Sequence, residues 1–279
     1  MTYKEFARKI LVLLDSLGIN LIKIFRSIPN LIYFLKSFRR YLFARKQIKN
    51  KKNNYFNLPR IGVPYICLGD HRSQAGEASG HYFHQDLIIA NEIFKRKPNI
   101  HFDIGSRVDG FIAHLISFEQ KIIIGDIRNL NFKNKYVKYK KIDLSSPFKI
   151  NSKSAMLKKY ESLSCLHVIE HIGLGRYGDQ INPLGFINAL ENLSLLLQNN
   201  GILYLSHPCG ETRVEFNGHY VFSINYIYPI FKRFNLSFME IHLIDDQGAY
   251  IFKSNSIKKA INISKKFQYG CAIWLLKKK

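Results

Sequence analysis

Closely spaced cysteines are missing from this 279-residue chain: Cys67, Cys165, Cys209 and Cys271 stand far apart and form no C-x-x-C pair. That argues against a zinc-ribbon spacing or a secreted disulfide framework and fits a reducing cytoplasm. Unbroken apolar runs are missing too. Asp15, Lys23 and Arg26 interrupt the most apolar stretch before it is long enough to cross a bilayer. No signal-peptide cleavage pattern follows it, and no internal repeat is visible. Acids are scarce, 20 against 42 Lys and Arg, which leaves a net charge of +22 that needs a physical reason. Hydrophobic residues are not scarce; at 47% of the chain they exclude disorder as the main state and allow a substantial core.

The charge is unevenly placed, since fourteen basic residues but only Glu5 and Asp15 fall in the first 60 positions. Within them Ile10, Leu13, Leu14, Leu17, Leu21, Ile24, Phe25 and Ile28 recur at helical spacing, flanked by Lys9, Lys23, Arg26, Lys36, Arg39 and Arg40. A basic amphipathic appendage over residues 1–57 is expected, with the polar run 46–58 as its linker. Residues 1–50 suit an anionic membrane face, which would place the protein in the cytoplasm and peripherally on the inner membrane. Nucleic acid is not the expected partner, because no RNA-binding module is visible and the aromatics near the basic residues read as core. Oligomeric state is not legible.

Residues 58–279 read as an α/β domain. Residues 58–80 are loop-like, with polar Asp70 to Gln74 set between glycines. Asp86 is expected to cap a helix through Ile88, Ile89, Ile93 and Phe94. His101 to Ile104, Lys121 to Asp126, Tyr136 to Asp143, Leu163 to His167 and Ile202 to Ser206 read as strands. A helix opening at Asn182-Pro183 is expected to end at Asn199-Asn200-Gly201. A helix near 224–234, a strand at 236–244 and a last strand at 271–276 follow. Strands alternating with helices imply a mostly parallel sheet covered on both sides.

The most informative stretch runs from His101 to Gly110, where an apolar run ends in an acid and a glycine just as a helix with Val108, Phe111, Ile112 and Leu115 on one face begins. Asp126 ends the next strand, at the separation that sets a carboxylate beside a ribose, so a cofactor carrying adenosine is expected. The glycines of G-x-G-x-x-G, which admit a pyrophosphate, are absent. Asp103-Ile104-Gly105 instead matches the opening of the class I S-adenosylmethionine (SAM) methyltransferase pattern, with Arg107 and Asp109 where further glycines stand in it. SAM has no pyrophosphate to cradle, so it is the expected cofactor.

Four segments carry a resemblance to a family: Gly80 to Leu87, Asp103 to Phe111, Ser164 to Asp179, and Phe216 to His219. Across roughly residues 58–279 the chain resembles a bacterial and plant domain of unknown function numbered 268, whose fold looks like a class I SAM-dependent methyltransferase. The resemblance implies a Rossmann-like, mostly parallel seven-stranded sheet with an antiparallel last strand, and a role in polysaccharide or lipopolysaccharide biosynthesis. It implies cofactor contacts at Asp103, Gly105, Ser106 and Arg107, ribose contact at Asp126 and an adenine contact at Asp143. His167, Glu170 and His171 follow the fourth strand, where ligands sit in open α/β sheets, and His171 is the expected base, oriented or charged by Glu170. His84, Arg176, His207 and His219 are the expected substrate contacts. The spacing of His167, Glu170 and His171 is not H-E-x-x-H and no motif fixes a third ligand, so no metal is expected. Three functions follow: a SAM-dependent methyltransferase acting on a sugar or lipid-linked glycan, a methyltransferase-like binding protein without catalysis, or a nicotinamide-dependent nucleotide-sugar reductase.

Overall fold

Strict alternation along the central strands sorts their side chains onto two cores, one on each face of a single sheet. In β5 (Leu197–Cys209) Leu203 and Leu205 enter one core, Ile202 and Tyr204 the other. In β10 (Gly270–Lys278) Ala272, Trp274 and Leu276 join the first, while Cys271, Ile273 and Leu275 join the second. This is the period of two that strand geometry imposes. The computed structural model describes residues 18, 21–49, 58–64, 66–76, 78–148 and 159–279. It divides into two compact units, Met1–Glu77 and Ala78–Lys279.

In the first unit α1 (Leu21–Lys49) is a single helix with Pro29 inside it. The apolar positions expected at 10–17 lie outside the described residues, as does most of the expected linker. Two described residues after the helix touch it: His71 stacks on Tyr33 with ring centroids 3.7 Å apart, and the Arg45 guanidinium donates to the Leu58 carbonyl. Ile28, Leu31, Ile32, Leu35, Leu42 and Phe43 of α1 remain exposed. No described helix is long and apolar enough to cross a membrane.

The second unit is built on an eight-stranded sheet with the order β3-β2-β1-β4-β5-β10-β8-β9. β1 (His101–Ile104), β2 (Ile122–Asp126), β3 (Val137–Lys141), β4 (Tyr160–Leu166) and β5 run parallel. β10 is inserted antiparallel between β5 and β8 (Leu236–Ile244), and β9 (Tyr250–Ser254) adds an antiparallel edge. That is the expected Rossmann-like class I methyltransferase architecture with one further edge strand. Its order reverses between β1 and β4, where open α/β sheets leave a crevice.

One face carries α2 (His81–Arg96) and α3 (Ala113–Ser117), through Ile89, Ile93, Phe111, Ile112 and Leu115. The other carries α4 (Gly185–Leu196), α5 (Ile224–Arg233) and α6 (Ile257–Ser264), with Phe186, Leu190, Leu193, Phe231 and Ala260 in its core. Two expected helix ends differ from the structure. Asp86 does not cap α2, which starts at His81; its buried carboxylate instead receives the Phe111 backbone N–H and the Gln85 side chain. α4 ends at Leu196, and Asn200, not Gly201, takes the left-handed turn at φ 65°.

Candidate functional site

The crevice is built from the carboxyl ends of β1, β2, β3 and β4. After β1 the chain turns at Gly105, which has φ +72° and receives Val168 so closely that a Cβ would lie 2.9 Å from its Cγ2. Only glycine meets both conditions without strain. Asp103, expected to touch the cofactor, does not line the crevice. It is fully buried, and its carboxylate accepts hydrogen bonds from Ser106 N at 3.0 Å, Ser106 Oγ at 2.8 Å and Ser164 Oγ. Burial pushes its pKa up to about 6 against the pull of those donors, so its role is to staple the turn. His101, held neutral by burial with a pKa of about 3, joins the same network through Ser162 and Ser164.

An apolar compartment of about 580 Å³ lies between Ile104, Ile127, Ile142, Leu144, Val168 and Ile172, with Gly105, Asp126 and Asp143 on its rim. A polar compartment of about 1160 Å³ adjoins it, lined by Tyr82, Gln85, Asp86, Ser106, Arg107 and Arg176 among others. His167, His171, Arg128 and Tyr177 line both. Asp126 is not idle: Oδ1 accepts from Arg128 N at 2.8 Å and Nε at 3.1 Å, and Oδ2 from Nη2 at 2.8 Å. Asp143 accepts the Ser145 N–H at 2.8 Å, which closes the loop after β3. Arg107, on the wall of the polar compartment, pairs with Asp109 at 2.6 Å between Nη2 and Oδ2 and does not enter the apolar one.

The fourth strand delivers the expected acid-base group. His167 has φ +52°, and its ring Nδ1 lies 2.7 Å from Glu170 Oε1. Burial disfavours charge on both, yet each stabilises the other's ion, so Glu170 lies below the usual carboxylate range and His167, which also faces Cys271, well above the imidazole range. His171 donates from Nδ1 to the Gly218 carbonyl at 2.7 Å, a bond that leaves Nε2 as the basic nitrogen. Burial lowers its pKa, opposed by Glu170, whose Oε1 is 3.9 Å from Nε2. Arg176 shares the Gly218 carbonyl at 3.0 Å, and Tyr177 lies between two guanidiniums, Arg128 at 4.6 Å and Arg176 at 5.2 Å from its centroid. The Asp179 carboxylate gathers the N–H groups of Gly173, Gly175 and Tyr177, which fixes this loop.

The remaining expected substrate contacts separate. His219, on β7 (His219–Val221), lines neither compartment; it pairs with Glu215 at 3.1 Å and lies edge-on to the His171 ring at 6.4 Å. His207 is fully buried, donates from Nδ1 to the Pro208 carbonyl and accepts the Trp274 indole N–H at 2.9 Å. His84 lies against Phe83 and Tyr250 and lines neither compartment; its neighbours Tyr82 and Gln85 do. Arg128, Tyr82, Gln85 and Tyr177 went unassigned from sequence, although all but Arg128 fall in segments that carried the family resemblance.

Residues 113–270 match the model of the family described as "Caenorhabditis protein of unknown function, DUF268". The chain belongs to the DUF268 family. The match takes in the segments at 164–179 and 216–219, and the family's description names Caenorhabditis, not the bacterial and plant origin expected. No curated protein matches the sequence. Among solved structures, this DUF268 chain is similar to the 1,6-didemethyltoxoflavin-N1-methyltransferase of Burkholderia thailandensis, at 9% identity, TM-score 0.45, covering 70% of this chain and 78% of that one. It is similar to the N-methyltransferase NodS of Bradyrhizobium japonicum at 9% identity and TM-score 0.45, covering 71% and 88%. An S-adenosylmethionine-dependent methyltransferase of Clostridium acetobutylicum shows 11% identity and TM-score 0.45, covering 71% and 92%. The first two were crystallised with S-adenosylhomocysteine. Similarity at this level assigns nothing to the DUF268 chain, whose strand order and crevice carry the reading below.

Proposed function

We propose that this protein is a SAM-dependent methyltransferase whose acceptor is a sugar hydroxyl in cell-surface polysaccharide or lipopolysaccharide assembly. One observation carries the reading: Asp126 and Asp143, at neighbouring strand tips, edge one apolar compartment, and His171 stands at its junction with a polar one. The donor set fits SAM. Apolar walls suit a nucleobase, Asp126 offers acceptors to a ribose diol, Asp143 offers one to an exocyclic amine, and Gly105 keeps the turn open where a Cβ would meet Val168. Bound there, SAM supplies a methyl group on a positively charged sulfur that leaves as the neutral thioether S-adenosylhomocysteine.

His171 takes the proton of the acceptor hydroxyl at Nε2, because Nδ1–H is committed to Gly218. Glu170, 3.9 Å away, stabilises the imidazolium that results. Tyr82 and Arg176 hold the acceptor oxygen in line, and such positioning supplies much of the acceleration in a displacement of this kind. Two guanidiniums around Tyr177 suit an acceptor that carries phosphate or carboxylate groups, as lipid-linked glycans do. The exposed apolar residues of α1, beside Lys36, Arg39, Arg40 and Lys46, support docking of residues 1–50 on an anionic inner membrane face.

Calorimetric titration tests the core of this. S-adenosylhomocysteine should bind with one site per chain and NAD should not. NAD binding alone would favour the reductase, and binding of neither would leave a scaffold without a cofactor. Removal of residues 1–50 should abolish co-sedimentation with anionic vesicles; undiminished sedimentation would reject the membrane role.

A further inference from the structure

At the edge of the crevice, sharing His167 with its wall, three side chains from distant parts of the chain converge. His81 opens α2, His167 follows β4 and Cys271 begins β10, and one donor atom from each lies within 4.8 Å of the other two. The backbone makes this meeting firm. Gly80 N donates to the Gly248 carbonyl at 2.8 Å, and a Cβ on Gly248 would lie 2.6 Å from that nitrogen, so the start of α2 is seated directly on the loop between β8 and β9. Cys271 is fixed in register between Pro208 of β5 and Ile244 of β8 and is completely buried.

The hydrogen bonds around the two imidazoles orient them as ligands. His167 commits Nδ1 to Glu170 at 2.7 Å, which turns Nε2 toward the cluster. That Nε2 is buried in a side chain only 5% exposed and faces the Cys271 thiol, with no nitrogen or oxygen partner among the described residues. A thiol is only a weak hydrogen-bond partner, so a buried imidazole nitrogen that faces sulfur gains stability when an ion binds both. His81 likewise has a hydrogen bond to the Tyr269 backbone, and its ring stacks parallel to that of His167 at 5.2 Å. A carboxylate or backbone carbonyl on the far nitrogen is the usual support of a metal-binding histidine.

We propose that His81, His167 and Cys271 bind a divalent transition metal of the zinc class. Two imidazoles and one thiolate are a donor set that such borderline-soft ions favour over magnesium or calcium, which seek oxygen. The charges also close: a dication, the Cys271 thiolate and the buried Glu170 carboxylate sum to zero. On binding, the thiol proton and any proton on His167 Nε2 pass to solvent, and no redox change is involved. Three protein donors leave a fourth position for water or an oxygen ligand, and His167 also lines the polar compartment. The short-range spacing of His167, Glu170 and His171 hid this site, because its other two donors come from opposite ends of the α/β unit.

The test uses the full chain carrying Cys67→Ser, which removes the one exposed thiol, after chelator treatment. Cobalt(II) should bind at one ion per chain and produce a thiolate-to-cobalt charge-transfer band in the near ultraviolet, and zinc should displace it. Cys271→Ser should remove the band, and His81→Gln, at the half-buried edge of the cluster, should weaken binding at least 100-fold while the fold persists by circular dichroism. Zinc should also raise the thermal midpoint of the parent but not of His81→Gln. Absence of the band, or cobalt binding that survives His81→Gln unchanged, would overturn the proposal. S-adenosylhomocysteine affinity is read separately, so failure here leaves the cofactor site standing.

Discussion

Replacing Asp126 by alanine should weaken S-adenosylhomocysteine binding by an amount that the structure allows to be worked out. A ribose diol can give one hydrogen bond to each carboxylate oxygen, and bonds to a charged acceptor contribute about 1.5–3 kcal/mol each. Against this, both oxygens already hold Arg128. That pair is weak to break, because the Arg128 side chain is 52% exposed and surface ion pairs are worth about 0–1 kcal/mol. Taking the lower end for two bonds at a rim and subtracting the pair leaves about 2–3 kcal/mol, or about 30- to 150-fold in Kd. Arg128→Ala frees the same carboxylate and should tighten binding by up to about fivefold, or leave it unchanged. Both Kd values are measured by isothermal titration calorimetry, with circular dichroism to confirm the fold. If Asp126→Ala binds within threefold of the parent, the ribose is not at β2 and the assigned cleft is wrong.

Asp103 should leave a signature in stability against pH. Its ordinary value of 3.8 becomes about 6 in the folded protein because burial penalises the carboxylate. The native state therefore holds the extra proton, so the group's contribution is greatest below about pH 4 and is lost as pH rises through 6. At about 1.4 kcal/mol for each pH unit of the gap, the loss is about 3 kcal/mol. In urea unfolding the difference between the parent and Asp103→Asn should change by that amount between pH 4 and 7; a constant difference would refute it. Gly105→Ala should destabilise by at least about 1–2 kcal/mol from the left-handed backbone alone, and adding Val168→Ala should recover the contact part of the loss but not the backbone part. Trp274→Phe should cost about 1–3 kcal/mol by leaving His207 Nε2 unpaired in the core, with Kd for S-adenosylhomocysteine unchanged; weakened binding would return His207 to the site.

The parallel half of the sheet was legible because its strands are short apolar runs that stop at a charged or polar tip, and Asp126, Asp143 and His167 mark those tips directly. Hydrophobic period likewise identified α5, β8 and β10. What failed has a physical pattern. The start of α2 was misplaced because His81, Tyr82, Phe83 and His84 hide the apolar stripe, so Asp86 reads as a cap when it is a buried acceptor. The helix expected from Val108 opens with a π-helical turn across Gly110, whose φ of −119° and ψ of −112° no periodicity reveals. β9 and the hairpin of β6 (Arg213–Glu215) and β7 are short and partly exposed, so their alternation carries little signal. Asp103 and His207 looked functional because a polar residue at a strand end is ambiguous until its partners are known. For Asp103 those partners are Ser106 and Ser164, and for His207 the decisive one is Trp274, far along the chain. Arg128 was invisible as a competitor for Asp126, since nothing in a two-residue spacing says that the side chain folds back.

A crystal structure of the protein with S-adenosylhomocysteine tests the central claim most directly. The account predicts ribose hydroxyls within hydrogen-bond distance of the Asp126 carboxylate, with Arg128 displaced, and the adenine amine facing Asp143. It also predicts the sulfur at the junction where His171 stands. A nucleoside bound elsewhere, or Asp126 still closed on Arg128 with the ligand present, would contradict it.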